Sequence, residues 1–167
     1  MKAVILAGGR GTRLAPYTHI LPKPMMPVGD RAILEIILGQ FSRAGISEVT
    51  LAVGHLASLM QTFFGDGSRF NLKISYAFEE KPLGTAGPLA LVEGLTETFL
   101  VANGDIMTLL DINKLIAFHK EQKAVCTIAS HQRTHQINLG VIEHAEGAYK
   151  VSGYIEKPTM NFLVSMG

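Results

Sequence analysis

Apolar residues fall in short unbroken runs along this chain: Lys2-Ala-Val-Ile-Leu-Ala7, closed by glycines, then Val49–Val53, Ile74–Phe78, Phe99–Ala102 and Ala124–Ala129. A short continuous apolar run bounded by turn residues reads as a strand buried on both faces. Between the runs, apolar positions recur at helical spacing over Ala32–Arg43, Leu56–Phe64, Thr85–Leu95 and Ile112–Gln122. In the second of these, Leu56, Leu59, Met60 and Phe63 form the expected core stripe. Asp111 stands where the N-cap of the last helix belongs. Strands alternating with helices predict βαβ units and an α/β fold, a mostly parallel sheet sandwiched by helices. After Ala129 the helical spacing stops. Ser130–Asn138 reads as a polar loop, and Leu139–Glu143 and Tyr149–Ile155 as paired strands around a turn at Glu146-Gly147. The last residues, Asn161–Gly167, form a strand-like apolar run with no polar tail, the pattern expected of a truncated chain.

Composition narrows the class. A length of 167 residues suits one domain with a real core. Apolar content of 47% and charged content of 17% predict an ordered globular chain. A net charge of +1 argues against a nucleic-acid partner, which selects a strongly basic face. No apolar segment reaches the roughly 18 residues of a membrane span. The glycines after Ala7 interrupt any signal-peptide pattern, so a cytoplasmic location is expected. A single cysteine, Cys126, excludes an internal disulfide and is expected to be buried in its apolar run. The six histidines show no metal-binding spacing; His131 and His135 are four apart but within the polar loop. Met25 and Met26 read as packing residues.

Charge is unevenly placed. The first 29 positions hold four basic residues, Lys2, Arg10, Arg13 and Lys23, and no acid. Three of the four lie in or near the glycine turn that ends the first strand. Glycine permits positive φ and close approach of the main chain, so such a turn can aim backbone N–H groups at phosphate. Two glycine motifs are excluded. A P-loop requires a Gly-Lys pair, which the chain lacks. A dinucleotide fingerprint requires a third glycine where Leu14 stands, and Pro16, Pro22, Pro24 and Pro27 forbid the helix it opens. What remains is a long proline-stiffened phosphate loop.

Ala7-Gly-Gly-Arg-Gly-Thr-Arg-Leu14, with Pro16, Thr18 and Pro22-Lys-Pro24, resembles the signature of the sugar-1-phosphate nucleotidylyltransferases. The resemblance continues in order through Pro82-Leu-Gly-Thr-Ala-Gly87, Asn103-Gly-Asp105, Gly140-Val141 and Glu156-Lys-Pro158. It implies a Rossmann-like nucleotide-binding part over residues 1–130 and the incomplete start of a β-rich sugar-binding part over 131–167, together one nucleotidyltransferase domain. It implies transfer from a nucleoside triphosphate to a sugar 1-phosphate, with Mg²⁺ as cofactor and pyrophosphate released. Gly8, Gly9 and Gly11 would take the triphosphate through backbone N–H groups and Arg13 would hold its β/γ end, with Leu6, Ala7 and Thr12 also in the nucleotide site. Lys23 would bridge the α-phosphate and the sugar phosphate, and Asp105 would ligate the metal. Arg13, Lys23 and Asp105 are thus the implied catalytic set. Glu79, Gly84 and Thr85 would form the base pocket, and Asn103, Gly140, Glu156 and Lys157 would serve the sugar phosphate.

A carboxylate at position 79 only accepts hydrogen bonds, and guanine offers two neighbouring donors, which favours GTP over a pyrimidine nucleotide. Mannose 1-phosphate is what the resemblance adds: Pro82-Leu-Gly-Thr-Ala-Gly87 is similar to the version in mannose-1-phosphate guanylyltransferases, which glucose-specific relatives share. Glu80 is the alternative reader. Other readings stay open: Arg13 and Lys23 as surface charges, Asp105 as a cap, Glu156 and Lys157 as a surface ion pair. At the level of function the alternative is a catalytically idle regulatory module that senses a nucleotide or sugar nucleotide and acts on a partner. A homo-oligomer is compatible with either reading. A nicotinamide oxidoreductase is disfavoured by the glycine spacing. The family's second metal carboxylate lies beyond Pro158 and is absent, so these residues alone are expected to bind nucleotide with low or no turnover.

Overall fold

The computed structural model describes residues 1–147 and 149–166. They form two compact units, Met1–Gln122 and Lys123–Met166. In the first unit the elements run β1 (Lys2–Ala7), a short hairpin of β2 (Pro27–Val28) and β3 (Arg31–Ala32), α1 (Ile33–Arg43), β4 (Glu48–Val53), α2 (Ala57–Phe64), β5 (Lys73–Phe78), β6 (Leu100–Asn103) and α3 (Ile112–Gln122). Four strands make a parallel sheet in the order β5-β4-β1-β6. Ala3, Val4 and Ile5 are all buried, as are Leu51, Ala52 and Val53. Successive strand residues point to opposite faces, so both faces of the central strands are covered.

Helix α1 shows how the expected pattern becomes packing. Leu34, Ile37, Leu38 and Phe41 are buried along one face. The Glu35 carboxylate accepts the Ala32 N–H at 2.9 Å, half of a capping box, since Ala32 has no side-chain oxygen to return. The C-terminus closes as a Schellman turn: Ile46 N–H donates to Phe41 O at 3.1 Å and Gly45 N–H to Ser42 O at 3.0 Å. Gly45 takes φ 78, the left-handed region. Gly45→Ala is therefore expected to cost about 1–2 kcal/mol, read by urea unfolding, with no change in nucleotide affinity. Asp111 does cap α3, its Oδ1 accepting the Lys114 N–H at 3.1 Å.

Several expectations are corrected. In α2, Met60 and Phe64 are buried, whereas Leu59 and Phe63 are exposed. The helix starts only at Ala57, with Leu56 held outside it at φ 56, and Ala57, Met60 and Phe64 carry the apolar stripe. The helix expected over Thr85–Leu95 shrinks to a 3-10 segment, Gly87–Leu91. Pro88 and the glycines at 84, 87 and 94 deny it a stable α-helical run.

The second unit is two antiparallel pairs. β7 (Ser130–Gln136) pairs with β10 (Thr159–Ser165), and β8 (Val141–His144) pairs with β9 (Val151–Ile155). The β8–β9 pair matches the expected hairpin. The run Ala124–Ala129, expected as a strand, is not one, and Cys126 is exposed rather than buried. The strand forms instead in the polar stretch that follows. Ladder hydrogen bonds come from the backbone, and the register Ser130↔Ser165 to Gln136↔Thr159 decides the pairing whatever the side chains. The run at 161–165 lies within β10; Gly167 lies outside the described residues. Among those residues no helix is long and apolar enough to cross a membrane.

Candidate active site

Parallel strands all end at one edge of their sheet. From β1 the chain moves outward to β4 and β5, then returns to β6 on the other side of β1. The loops after β1 and β6 therefore diverge, and a crevice opens between them, the place where open α/β sheets take ligands. It has a volume of about 740 Å³. One wall is Leu6, Ala7, Gly8, Gly9, Gly11 and Arg13; the facing wall is Asn103 and Asp105. Glu79, Gly84 and Thr85 close one side, and Lys23 reaches in from the proline-rich excursion. Thr12 sits on the same turn but does not line the crevice. Arg10, Leu14, Pro24 and Pro82 also line it; the motifs contain them without giving them a role, and Pro88, a further lining residue, stands outside the motifs.

The glycine loop is shaped by contacts at its ends. Gly11 takes φ 62, and a Cβ there would come within 2.8 Å of the Thr18 methyl. The Glu79 carboxylate occupies the space a Cβ on Gly8 would take, so a side chain there would have to displace it. The other Glu79 oxygen, Oε2, accepts the Leu83 N–H at 3.3 Å. Gly104, after β6, donates to Leu6 O at 2.9 Å. A Cβ at Gly104 would stand 3.2 Å from Pro24 and 3.3 Å from Ala7, so glycine is what lets the two walls approach. The N–H groups of Gly9, Arg10 and Gly11 donate to no described residue. Thr12 and Arg13 open a 3-10 turn, where N–H groups are unsatisfied by construction. Arg10 and Arg13 are exposed and make no ion pair among the described residues.

Lys23 Nζ and Asp105 Oδ2 form an ion pair across the crevice. Their side chains are 33% and 25% exposed, so both remain open to an incoming ligand. Among the described residues no group of three or more His, Cys, Asp or Glu gathers around Asp105 or elsewhere.

In the second unit, Gly140, Glu156 and Lys157 come together with a residue that the sequence did not mark, Tyr154. The Tyr154 hydroxyl donates to Glu156 Oε2 at 2.7 Å, and Lys157 Nζ lies 3.7 Å from Glu156 Oε1. That bond, with burial adding, raises the Tyr154 phenol above its ordinary pKa. The space left by the missing side chain of Gly140 is filled by the Tyr154 hydroxyl.

The family profile described as Nucleotidyl transferase matches residues 2–167. The UTP–glucose-1-phosphate uridylyltransferase of Synechocystis is 33% identical, with 99% of this chain and 46% of that protein aligned. The mannose-1-phosphate guanylyltransferase of Mycobacterium tuberculosis is 41% identical, with 75% of this chain and 36% of that protein aligned. The chain thus spans less than half the length of either relative. The crystal structure of HddC from Yersinia pseudotuberculosis shares the fold, with a TM-score of 0.70 at 24% identity, covering 99% of this chain and 74% of that one. Extent of match and motif order lead to one conclusion: the chain belongs to the nucleotidyl transferase family, in the branch of the sugar-1-phosphate nucleotidyltransferases.

Proposed function

We propose that the first unit binds a nucleoside triphosphate in the β1–β6 crevice for transfer of its nucleotidyl group to a sugar 1-phosphate. The observation that carries this is the run of N–H groups from Gly9 to Gly11 with no partner among the described residues, with exposed Arg10 inside the run and exposed Arg13 two residues beyond it, on a crevice that Lys23 and Asp105 also line. Backbone donors and fixed cations of this kind stabilise phosphate charge without reorganising. In the reaction an oxygen of the sugar phosphate attacks the α-phosphorus, the bond to the β-phosphate breaks, and pyrophosphate leaves. Arg13 neutralises the departing β/γ end. Lys23 holds the α-phosphate and the incoming phosphate together, which brings the reacting atoms into line. Phosphate oxygens compete with Asp105 for Lys23, so substrate entry releases the Asp105 carboxylate.

Asp105 then fits Mg²⁺ as one ligand, since that ion combines one or two carboxylates with phosphate oxygens and water. When bound, the cation would neutralise charge on the phosphates. The resemblance assigns Gly140, Glu156 and Lys157 to the sugar 1-phosphate, and Asn103 to the same substrate. GTP is the favoured nucleotide: a Glu79 oxygen at Gly8 accepts from the guanine N1–H and 2-amino group better than it serves a single uracil N3–H. The guanylyltransferase name of the Mycobacterium relative supports that choice and the Synechocystis name opposes it.

The test is thermal stability with Mg²⁺ and each of GTP, ATP, CTP, UTP and dTTP. A ligand at ~100 times its Kd adds roughly 2.7 kcal/mol to the folded state, and GTP is expected to give the largest upward shift. A cooperative melt that no nucleotide moves would overturn the assignment of the crevice. Pyrophosphate release in the presence of mannose 1-phosphate separates an enzyme from an idle nucleotide-binding module.

A further inference from the structure

We propose that His55 and Thr18 are positioning residues that hold the glycine loop in the curvature that aims its N–H groups into the crevice; this rests on the triphosphate reading above. Neither residue lines the crevice, so neither is a candidate to touch a ligand.

The loop from Gly8 to Thr18 belongs to no strand or α-helix, and its conformation must be held from outside. The sheet register does the first part. Ala7 pairs with Val53, so the next residues, Gly8 and Gly54, leave the sheet side by side. A Cβ on Gly54 would stand 3.0 Å from Gly8 O, so glycine permits this approach. His55 follows, and its backbone N–H points to Gly8 O at 3.4 Å. Its ring then spans the loop: Nε2 lies 3.0 Å from Thr18 O. A carbonyl only accepts, so Nε2 carries the proton.

Thr18 passes the constraint on. It is 3% exposed, the one buried polar residue among the described residues. Its hydroxyl donates to Gly11 O at 3.0 Å, and Gly11 O also accepts the Leu14 N–H at 2.9 Å. His55 therefore holds the loop at its start through Gly8 and at its far side through Thr18. Thr18 sets the bend at Gly11, in the middle of the unpartnered N–H groups. Removing the ring would leave the Thr18 carbonyl short of a partner in a half-buried setting, and the loop would relax to find one.

The experiment compares wild type with His55→Leu, His55→Asn and His55→Gln. A glutamine amide can reach where Nε2 stands; an asparagine amide stops near Nδ1. Two readouts are used: hydrogen exchange of the amides from Gly9 to Leu14 in the ligand-free protein, and affinity for inorganic tripolyphosphate, which has no base. In the Leu and Asn variants, exchange is expected to quicken and affinity to fall, each by about tenfold, the worth of roughly one hydrogen bond. Glutamine is expected to restore both. If His55→Leu does not fold, the Asn and Gln pair carries the comparison. Unchanged exchange and affinity in the Asn variant, or equal losses in Asn and Gln, would overturn the proposal. If exchange responds but wild type binds no tripolyphosphate, the brace exists but the triphosphate reading fails, and the positioning role fails with it.

Discussion

Replacing Lys23 with methionine is expected to slow pyrophosphate release by about two to three orders of magnitude, the usual cost of removing one fixed group that stabilises transition-state charge. Nucleotide affinity is expected to change by less than about tenfold. The argument starts from the backbone. Pro22 and Pro24 restrict φ on either side of Lys23, and Met25, 8% exposed, anchors the turn in the core. The ammonium therefore sits on a stiff stem, and methionine keeps much of the stem while removing the charge. The folded state should tolerate the change. Asp105 loses its partner but is a quarter exposed, so water replaces the lysine at a cost under about 1 kcal/mol. The rate is best read in single turnovers with protein in excess over labelled nucleotide, so that slow chemistry is still visible. A fall in affinity as large as the fall in rate would place Lys23 in ground-state binding rather than at the reacting phosphates. An unchanged rate would remove it from the mechanism.

Phe64→Ala is expected to destabilise the chain by about 3–5 kcal/mol and to lower Tm by roughly 10–20 °C. Phe64 is the last residue of α2 and is 2% exposed. Its ring meets the edge of Phe63 at 4.9 Å between centroids and tilts against Phe70 at 6.2 Å. Truncation leaves a void between helix and sheet that close-packed neighbours fill only in part. Phe63 is the internal control. It is 39% exposed, with Arg69 5.2 Å from its ring centroid, and Phe63→Ala is expected to cost less than about 1 kcal/mol. Urea unfolding of both variants checks the phase of the helix. Equal losses would mean that both rings are core.

That pair also shows where sequence reasoning reached its limit. The apolar spacing in Leu56–Phe64 announces a helix, but two adjacent phenylalanines leave its phase open. Tertiary packing chose it: Met60 and Phe64 enter the core with Ala57 against them, while Leu56, at φ 56, stands outside the helix. Polar Ser130–Gln136 became a strand for a related reason. Its partner lies at Thr159–Ser165, and no local pattern records which distant backbone a segment will pair with. His55 left almost no trace, only a glycine before it at the end of a strand, as glycines also follow β1.

By itself the sequence determined the parallel strands, the turns that close them, the proline-stiffened glycine loop and most of the residues that line the crevice in the first unit. These follow from local physics: continuous apolar runs need burial on both faces, glycine accepts positive φ and close approach at the least steric cost, and proline stiffens a loop against helix. Tertiary structure alone decided what meets what. Lys23 and Asp105 are 82 positions apart, and they pair because β1 and β6 are neighbours whose carboxyl ends open on one crevice. Tyr154 fills the space at Gly140, and His55 spans the glycine loop, for the same reason. Such contacts depend on strand order and register, which the whole core selects at once and which no short stretch of residues encodes.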